Sequence, residues 1–413
     1  MKQYFTPAVN YYKSTNPKEL VEQYGSPLYV YSEEILRTRC KEMKNLVKYK
    51  NFKPHYSTKA NANLELLKII REEGISVDAM SPGEIFVLMK AGYTAEDIFY
   101  VCNNVSLEEI QYAVDLGITV SVDSLSQLKL FAENFPGSKV AVRINTGYGA
   151  GHHEKVITAG KMTKFGINDD MIGEIKKILS ENNMKLTGVN QHIGSLFLEE
   201  TAYIASARLL CRFASKFEDL EFVDFGGGFG IPYMKQDGQG RLDLSSVGKR
   251  LDEVIDEFVA DYGREITFKI EPGRYLVAEC SVLLGTVMAT KHHAGIDYVG
   301  TDLGFNVLQR PVMYDSHHDI EVYRDGNITF DGMETVTIVG NICESGDKLA
   351  IGRTLPKIDI GDVLGVMDAG AYGFSMASNY NNRLRPAEVL IQKDGSTRII
   401  RRRETLEDLM ALF

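Results

Sequence analysis

A strand-then-helix unit recurs eight times between residues 54 and 274, and this repeat limits the possible folds more than any other feature of the chain. Short β-prone runs at 54–59, 75–80, 98–102, 119–122, 139–144, 186–192, 222–225 and 268–271 end in polar or glycine residues, and helical patterns follow them. Their apolar, β-branched character suits strands buried on both faces. Ser81-Pro-Gly-Glu84 reads as a helix start, with a capping serine, proline at the first helical position and glutamate at the third. Ser106-Leu-Glu-Glu109 and Ser124-Leu-Ser-Gln127 repeat the logic. Eight alternating units predict an α/β architecture, a TIM-like (β/α)8 barrel over residues 36–280. A doubly wound sheet is the structural alternative, and the count of eight favours the barrel.

Beyond residue 280 the texture changes. Runs at 282–288, 298–299, 320–323, 335–339, 363–367, 389–391 and 398–401 are separated by Gly, Asp and Asn turns, with few helical patterns between them. They predict a second, mainly β domain over 281–413. Residues 1–35 hold one more β-prone run, 27–32, and are assigned to that domain. A chain of 413 residues is long enough for two cores.

Charge and composition exclude several functions. A net charge of −10 disfavours nucleic acid and anionic membrane surfaces as partners. No apolar run approaches the roughly 20 residues that span a bilayer, and the first five residues lack a signal-peptide core. The five cysteines, Cys40, Cys102, Cys211, Cys280 and Cys343, are odd in number and form no CxxC motif. They point to a reducing, cytoplasmic setting without disulfides. The adjacent histidines His152-His153, His292-His293 and His317-His318 suggest no metal site, because neighbouring side chains on a strand or helix point apart.

In a barrel of this kind, reactive groups lie at the C-terminal ends of the strands. Those ends carry Lys59, His192, the run Gly226-Gly227-Gly228 and Glu271-Pro-Gly-Arg274. A buried lysine can form a Schiff base, and glycines let backbone N–H groups approach a phosphate. A carboxylate such as Glu271 can keep a pyridine nitrogen protonated, and an imidazole such as His192 can stack on a ring. These are the parts of a pyridoxal-phosphate site. Spacing alone carries the reading only to a phosphate-bearing ligand in a barrel mouth.

Longer motifs extend it. Cys343-Glu-Ser-Gly-Asp347, the stretch Asp368-Ala-Gly-Ala-Tyr-Gly-Phe-Ser-Met-Ala-Ser-Asn-Tyr-Asn381, Arg310-Pro-Val-Met-Tyr314 and Arg385-Pro-Ala-Glu388 resemble the fold-type III pyridoxal-phosphate decarboxylases over nearly the whole chain. The resemblance is to the branch acting on meso-2,6-diaminopimelate. It implies an alanine-racemase-like pairing of barrel and β domain, and decarboxylation to L-lysine and carbon dioxide as the last step of lysine biosynthesis. It implies that Lys59 carries the cofactor and His192 stacks on its ring. Ser195, Gly226, Gly227, Gly228, Glu271, Gly273, Arg274 and Tyr372 would bind phosphate and ring. Arg274, Arg310, Tyr314, Glu344 and Tyr372 would bind substrate, with Cys343 as proton donor. It implies a homodimer whose active site is completed across the interface by Cys343 and Glu344. Leu196, Thr163 and the stretch Thr301-Asp-Leu-Gly-Phe-Asn306 depart from the family pattern near the expected site. A decarboxylase of lysine or ornithine with the same fold is the nearest alternative. A racemase would set arginine against the pyridine nitrogen, where this chain has Glu271, and a non-catalytic pyridoxal-phosphate-binding relative would be expected to lack Lys59 or Cys343.

Overall fold

The computed structural model describes residues 4–147 and 163–413. The His152-His153 pair and the start of the 160–166 segment lie outside the described residues. The chain divides into two compact units. One comprises Met1–Thr38, Pro232–Gly240 and Val277–Phe413, and the other comprises Arg39–Ile231 and Arg241–Leu276. Pro232–Gly240, inside the range expected for the barrel, therefore groups with the mainly β unit.

Strand β1 (Leu28–Ser32) belongs to the mainly β unit. The barrel unit holds β2 (Phe52–Ser57), β3 (Ser76–Ala79), β4 (Ile98–Val101), β5 (Thr119–Val122), β6 (Lys139–Asn145), β7 (Ile167–Asn168), β8 (Lys185–Asn190), β9 (Phe222–Asp224) and β10 (Thr267–Ile270). β7 is a two-residue addition on the end of β6. The other eight pair in parallel in the order β2-β3-β4-β5-β6-β8-β9-β10, and β10 pairs back onto β2. The eight expected runs thus form a closed barrel, each within two residues of its expected start. Closure leaves no sheet edge, so each strand is hydrogen-bonded on both sides and its end is held in register with its neighbours. Inside, Phe99, Val101, Ala141 and Phe222 pack together, the two rings edge to face at 5.2 Å. The helix starts behave as their sequences require. Ser81, Ser106 and Ser124 accept hydrogen bonds from the backbone N–H of Glu84, Glu109 and Gln127.

The mainly β unit holds β11 (Ser281–His293), β12 (Ile296–Thr301), β13 (Ile320–Arg324), β14 (Asn327–Ile328), β15 (Met333–Val339), β16 (Lys348–Pro356), β17 (Val363–Val366), β18 (Ala387–Ile391) and β19 (Thr397–Arg401). β1 sits between β11, antiparallel, and β18, parallel. Val30, Val282, Leu284 and Val389 form one core there. The far half of β11 leaves that layer to pair with β12, over a second core that includes Val299 and Ile338. β16 has no counterpart among the expected runs. Gly352, at φ +57°, breaks its alternation, and Ile351 faces solvent, so the segment lacks the period of a half-buried strand. No helix among the described residues is long and apolar enough to cross a membrane.

Candidate active site

The barrel unit places a cluster of charged residues at the ends of its strands. Lys59 lies on a single helical turn, Thr58–Ala60, directly after β2. That turn is pinned by Thr58 Oγ1, which donates to the Asp78 carbonyl at 2.7 Å, and by Tyr56, whose hydroxyl donates to the Asn61 carbonyl at 2.9 Å. Gly273 packs against the same turn, and a Cβ there would meet Ser57 Cβ at 3.0 Å. Lys59 is half-buried, and its positive charge bears on Asp78, Glu84, His192 and Glu271.

Glu271 follows β10 and is buried. Burial, and then the neighbouring Asp224 carboxylate, push its carboxyl up to about 8, against the pull of Lys59, Arg143 and Lys269. Its Oε1 is buried without a hydrogen-bond partner among the described residues. A carboxyl in that state is costly until it meets a donor. His192 lies 4.0 Å from Glu271 Oε2. Burial, then Lys59 and Arg143, hold the imidazole well below its ordinary value, so this contact is not an ion pair. His192 Nδ1 accepts the Gly227 N–H at 3.2 Å, which assigns the ring's proton to Nε2.

The glycine run is required by packing. A Cβ on Gly226 would meet the Gln191 carbonyl oxygen at 2.0 Å, and one on Gly227 would meet that of Glu271 at 2.0 Å. Gly228, at φ +107°, could carry a Cβ only 2.7 Å from the Gly194 carbonyl. Two of the three amides are already engaged, Gly226 N–H by Asp224 Oδ1 at 2.8 Å and Gly227 N–H by His192. Beside the run, Arg274 Nη2 donates to Ser195 Oγ at 2.8 Å.

Two further residues belong to this cluster and escaped the sequence reading. Asp78, at the end of β3, accepts from Ser57 Oγ at 2.6 Å, and burial followed by Glu271 holds its carboxyl well above the usual range. Arg143, on β6, is 5% exposed and lies over the Phe165 ring at 4.5 Å. Its Nη2 is a second buried atom without a partner among the described residues. The available signal was a charge inside an apolar parallel strand, Val77-Asp-Ala-Met80 and Ala141-Val-Arg-Ile144, where burial on both faces leaves a charge no route to water.

The mainly β unit holds the other expected residues. Arg310 opens a short helix, Arg310–Tyr314, that puts Tyr314 one turn along on the same side. Cys343 and Glu344 are exposed on the turn after β15. Asp347 ties that turn down by accepting the N–H groups of Ile342 and Phe305, each at 2.7 Å. Asn381 grips Cys343 twice: its Oδ1 accepts the Cys343 N–H at 3.0 Å and its Nδ2 donates to Sγ at 3.1 Å. Tyr380 donates to Glu344 Oε1 at 2.6 Å. Tyr372 follows β17 with φ +56°, on a loop whose Asp368 carboxylate receives Lys235 Nζ at 2.7 Å.

An orphaned buried acceptor, an orphaned buried donor and a glycine cradle beside a lysine fit a planar cofactor bearing a ring N–H, a ring oxygen and a phosphate, which is pyridoxal phosphate. Comparison with known proteins agrees. Residues 33–278 match the pyridoxal-binding domain of the pyridoxal-dependent decarboxylases. The diaminopimelate decarboxylase of Methanothermobacter thermautotrophicus is 39% identical over 95% of this chain and 92% of its own. That of Bacillus subtilis is 33% identical over 95% and 92%. The crystal structure of diaminopimelate decarboxylase from M. jannaschii in complex with L-lysine superposes with a TM-score of 0.86 at 33% identity, covering 95% of this chain and 93% of that one. Fold, site and sequence together show that the chain belongs to the pyridoxal-dependent decarboxylases, in the family of the diaminopimelate decarboxylases.

Proposed function

We infer that this chain decarboxylates meso-2,6-diaminopimelate to L-lysine and carbon dioxide with pyridoxal phosphate as cofactor. The observation that carries the reading is the buried Glu271 Oε1, without a hydrogen-bond partner among the described residues and within reach of the Lys59 charge. In this reading Lys59 is the point of attachment and Glu271 accepts the ring N–H. His192 packs on the ring face, kept neutral so that it adds no charge there. Gly228, Ser195, Arg274 and Tyr372 serve the phosphate. The engaged amides of Gly226 and Gly227 instead fix Asp224 and His192, while Gly273 keeps Arg274 close to the Lys59 turn. Arg143 offers its open N–H to an acceptor on the bound group.

Bound there, the cofactor supplies an electron-withdrawing ring that takes up the electron pair left at Cα when carbon dioxide departs. Arg274, Arg310 and Tyr314 hold the distal carboxylate and Glu344 the distal ammonium, so the substrate is oriented from its unreactive end. Cys343 Sγ–H gives a proton to Cα, and Asn381 Nδ2 donates to the sulfur left behind. Cys343 and Glu344 stand exposed on their own chain, which suits delivery to the site of a second copy in a homodimer. A free exposed thiol fits a reducing cytoplasm.

The test is carbon dioxide release by purified, cofactor-loaded protein from meso-diaminopimelate, L- and D-lysine, and L- and D-ornithine, with Lys59→Ala as control. Release from diaminopimelate alone, lost in the control, is expected. Release only from lysine or ornithine would transfer the assignment to a decarboxylase of those substrates.

A further inference from the structure

Arg310 is 1% exposed, and a guanidinium that deep must be hydrogen-bonded to be tolerated. Its Nη1 lies 2.6 Å from His318 Nε2. Arginine has donors only, so His318 Nε2 must present a lone pair. The other ring nitrogen, Nδ1, lies 2.7 Å from the Met367 carbonyl, which can only accept. The two contacts select one tautomer, neutral and protonated on Nδ1, and a doubly protonated ring would set N–H against N–H.

The support of this ring is rigid. The Met367 N–H donates to the Asp319 carbonyl at 2.9 Å, and Arg353 Nη2 donates to the His318 carbonyl at 3.2 Å. The Tyr233 ring lies under the Arg310 guanidinium at 4.5 Å and meets the His318 ring edge to face at 5.2 Å. Tyr233 comes from Pro232–Gly240, the segment that joins this unit from the middle of the barrel sequence. Tyr233 thus packs on the guanidinium of Arg310, and His318 accepts one of its N–H groups.

We propose that His318 is a positioning residue for substrate selection, aiming Arg310 at the distal carboxylate of the substrate. This rests on the role of Arg310 given above. A neutral acceptor orients the guanidinium without cancelling its charge, whereas a carboxylate in the same position would compete with that of the substrate. Bidentate capture of a carboxylate depends on the angle of the arginine fork, so loss of the acceptor weakens binding of the distal group and leaves bond breaking at Cα largely untouched.

The experiment compares His318→Leu, His318→Gln and Arg310→Met with the wild type, all full-length and cofactor-loaded. KM and kcat for meso-diaminopimelate, the cofactor absorbance band and Tm are measured. His318→Leu is expected to raise KM about tenfold or more, with kcat within about threefold and with absorbance and Tm retained. His318→Gln, whose amide can accept from Arg310 and donate to Met367, should stand close to wild type. An unchanged KM in His318→Leu while Arg310→Met raises it overturns the positioning role. An unchanged KM in Arg310→Met overturns the reading of Arg310 itself. Should the leucine variant fail to fold, ¹⁵N NMR of the histidine rings in the wild-type protein decides: a neutral, Nδ1-protonated His318 is required, and an Nε2-protonated or doubly protonated ring overturns the proposal.

Discussion

Burial and the Asp224 carboxylate raise the Glu271 carboxyl to about 8, and a pH dependence of stability follows. Its folded value lies above the ordinary glutamate value near 4.3, so between the two the native state binds more protons than the unfolded state. Stability from this group is therefore present at low pH and is lost as pH rises through about 8. The melting temperature of the cofactor-free protein should fall from about pH 6 to about pH 9, by the equivalent of on the order of 2 kcal/mol, and Glu271→Gln should flatten the slope. Thermal melts across that range, with and without pyridoxal phosphate, check this. An equal slope in the variant would remove Glu271 as the cause. Asn381 gives a second expectation. Asn381→Ala removes the Nδ2 donor from the Cys343 sulfur and should lower kcat about tenfold, read by steady-state kinetics and by the rate of Cys343 alkylation. At this scale the sequence made the placement of Lys59 and Glu271 at strand ends legible. It was not legible for Asp78, Arg143 or His318. Their chemistry comes from neighbours brought from distant segments, and His318 stands in the sequence as half of an ordinary histidine pair.

The barrel strands end where they do because closure holds every strand in register, and the glycine run exploits that rigidity. Gly227 lies so close to the Glu271 carbonyl that Gly227→Ala must push β9's turn away from the end of β10. Overpacking of this kind costs about 1–3 kcal/mol or more. The variant is expected to melt lower and to lose cofactor on gel filtration, while Gly117→Ala, on an open turn with φ +75°, should lose about 1 kcal/mol and keep its cofactor. Cofactor retention in Gly227→Ala would show that the turn yields. Elements were the most legible level of the sequence. Runs buried on both faces read plainly, whereas β16, exposed and broken by Gly352, did not. The excursion Pro232–Gly240 was hidden for another reason: its company is decided by tertiary contacts, and a local pattern carries no trace of them.

For the whole molecule, the proposed homodimer makes a sharp demand. If Cys343 of one copy serves Lys59 of another, two individually inactive variants, Lys59→Ala and Cys343→Ala, should regain activity when unfolded together and refolded as a mixture. Random pairing makes half the dimers mixed, each with one complete site, so recovery to about a quarter of wild-type activity is expected. No recovery, with mixed dimers shown by mass spectrometry, would place both residues in the service of a single chain.

β1 carries a consequence of another kind. Its parallel neighbour β18 is synthesised some 350 residues after it. The barrel strands, all complete by Ile270, can pair while synthesis continues; β1 waits about 250 residues for its antiparallel neighbour β11 and some 350 for β18. Until β18 is made, β1 is the edge of its sheet, with one row of backbone groups unpaired. A message truncated before residue 387 should yield a protein with a formed barrel and with β1 held only by β11, cut by proteases faster than in the full chain.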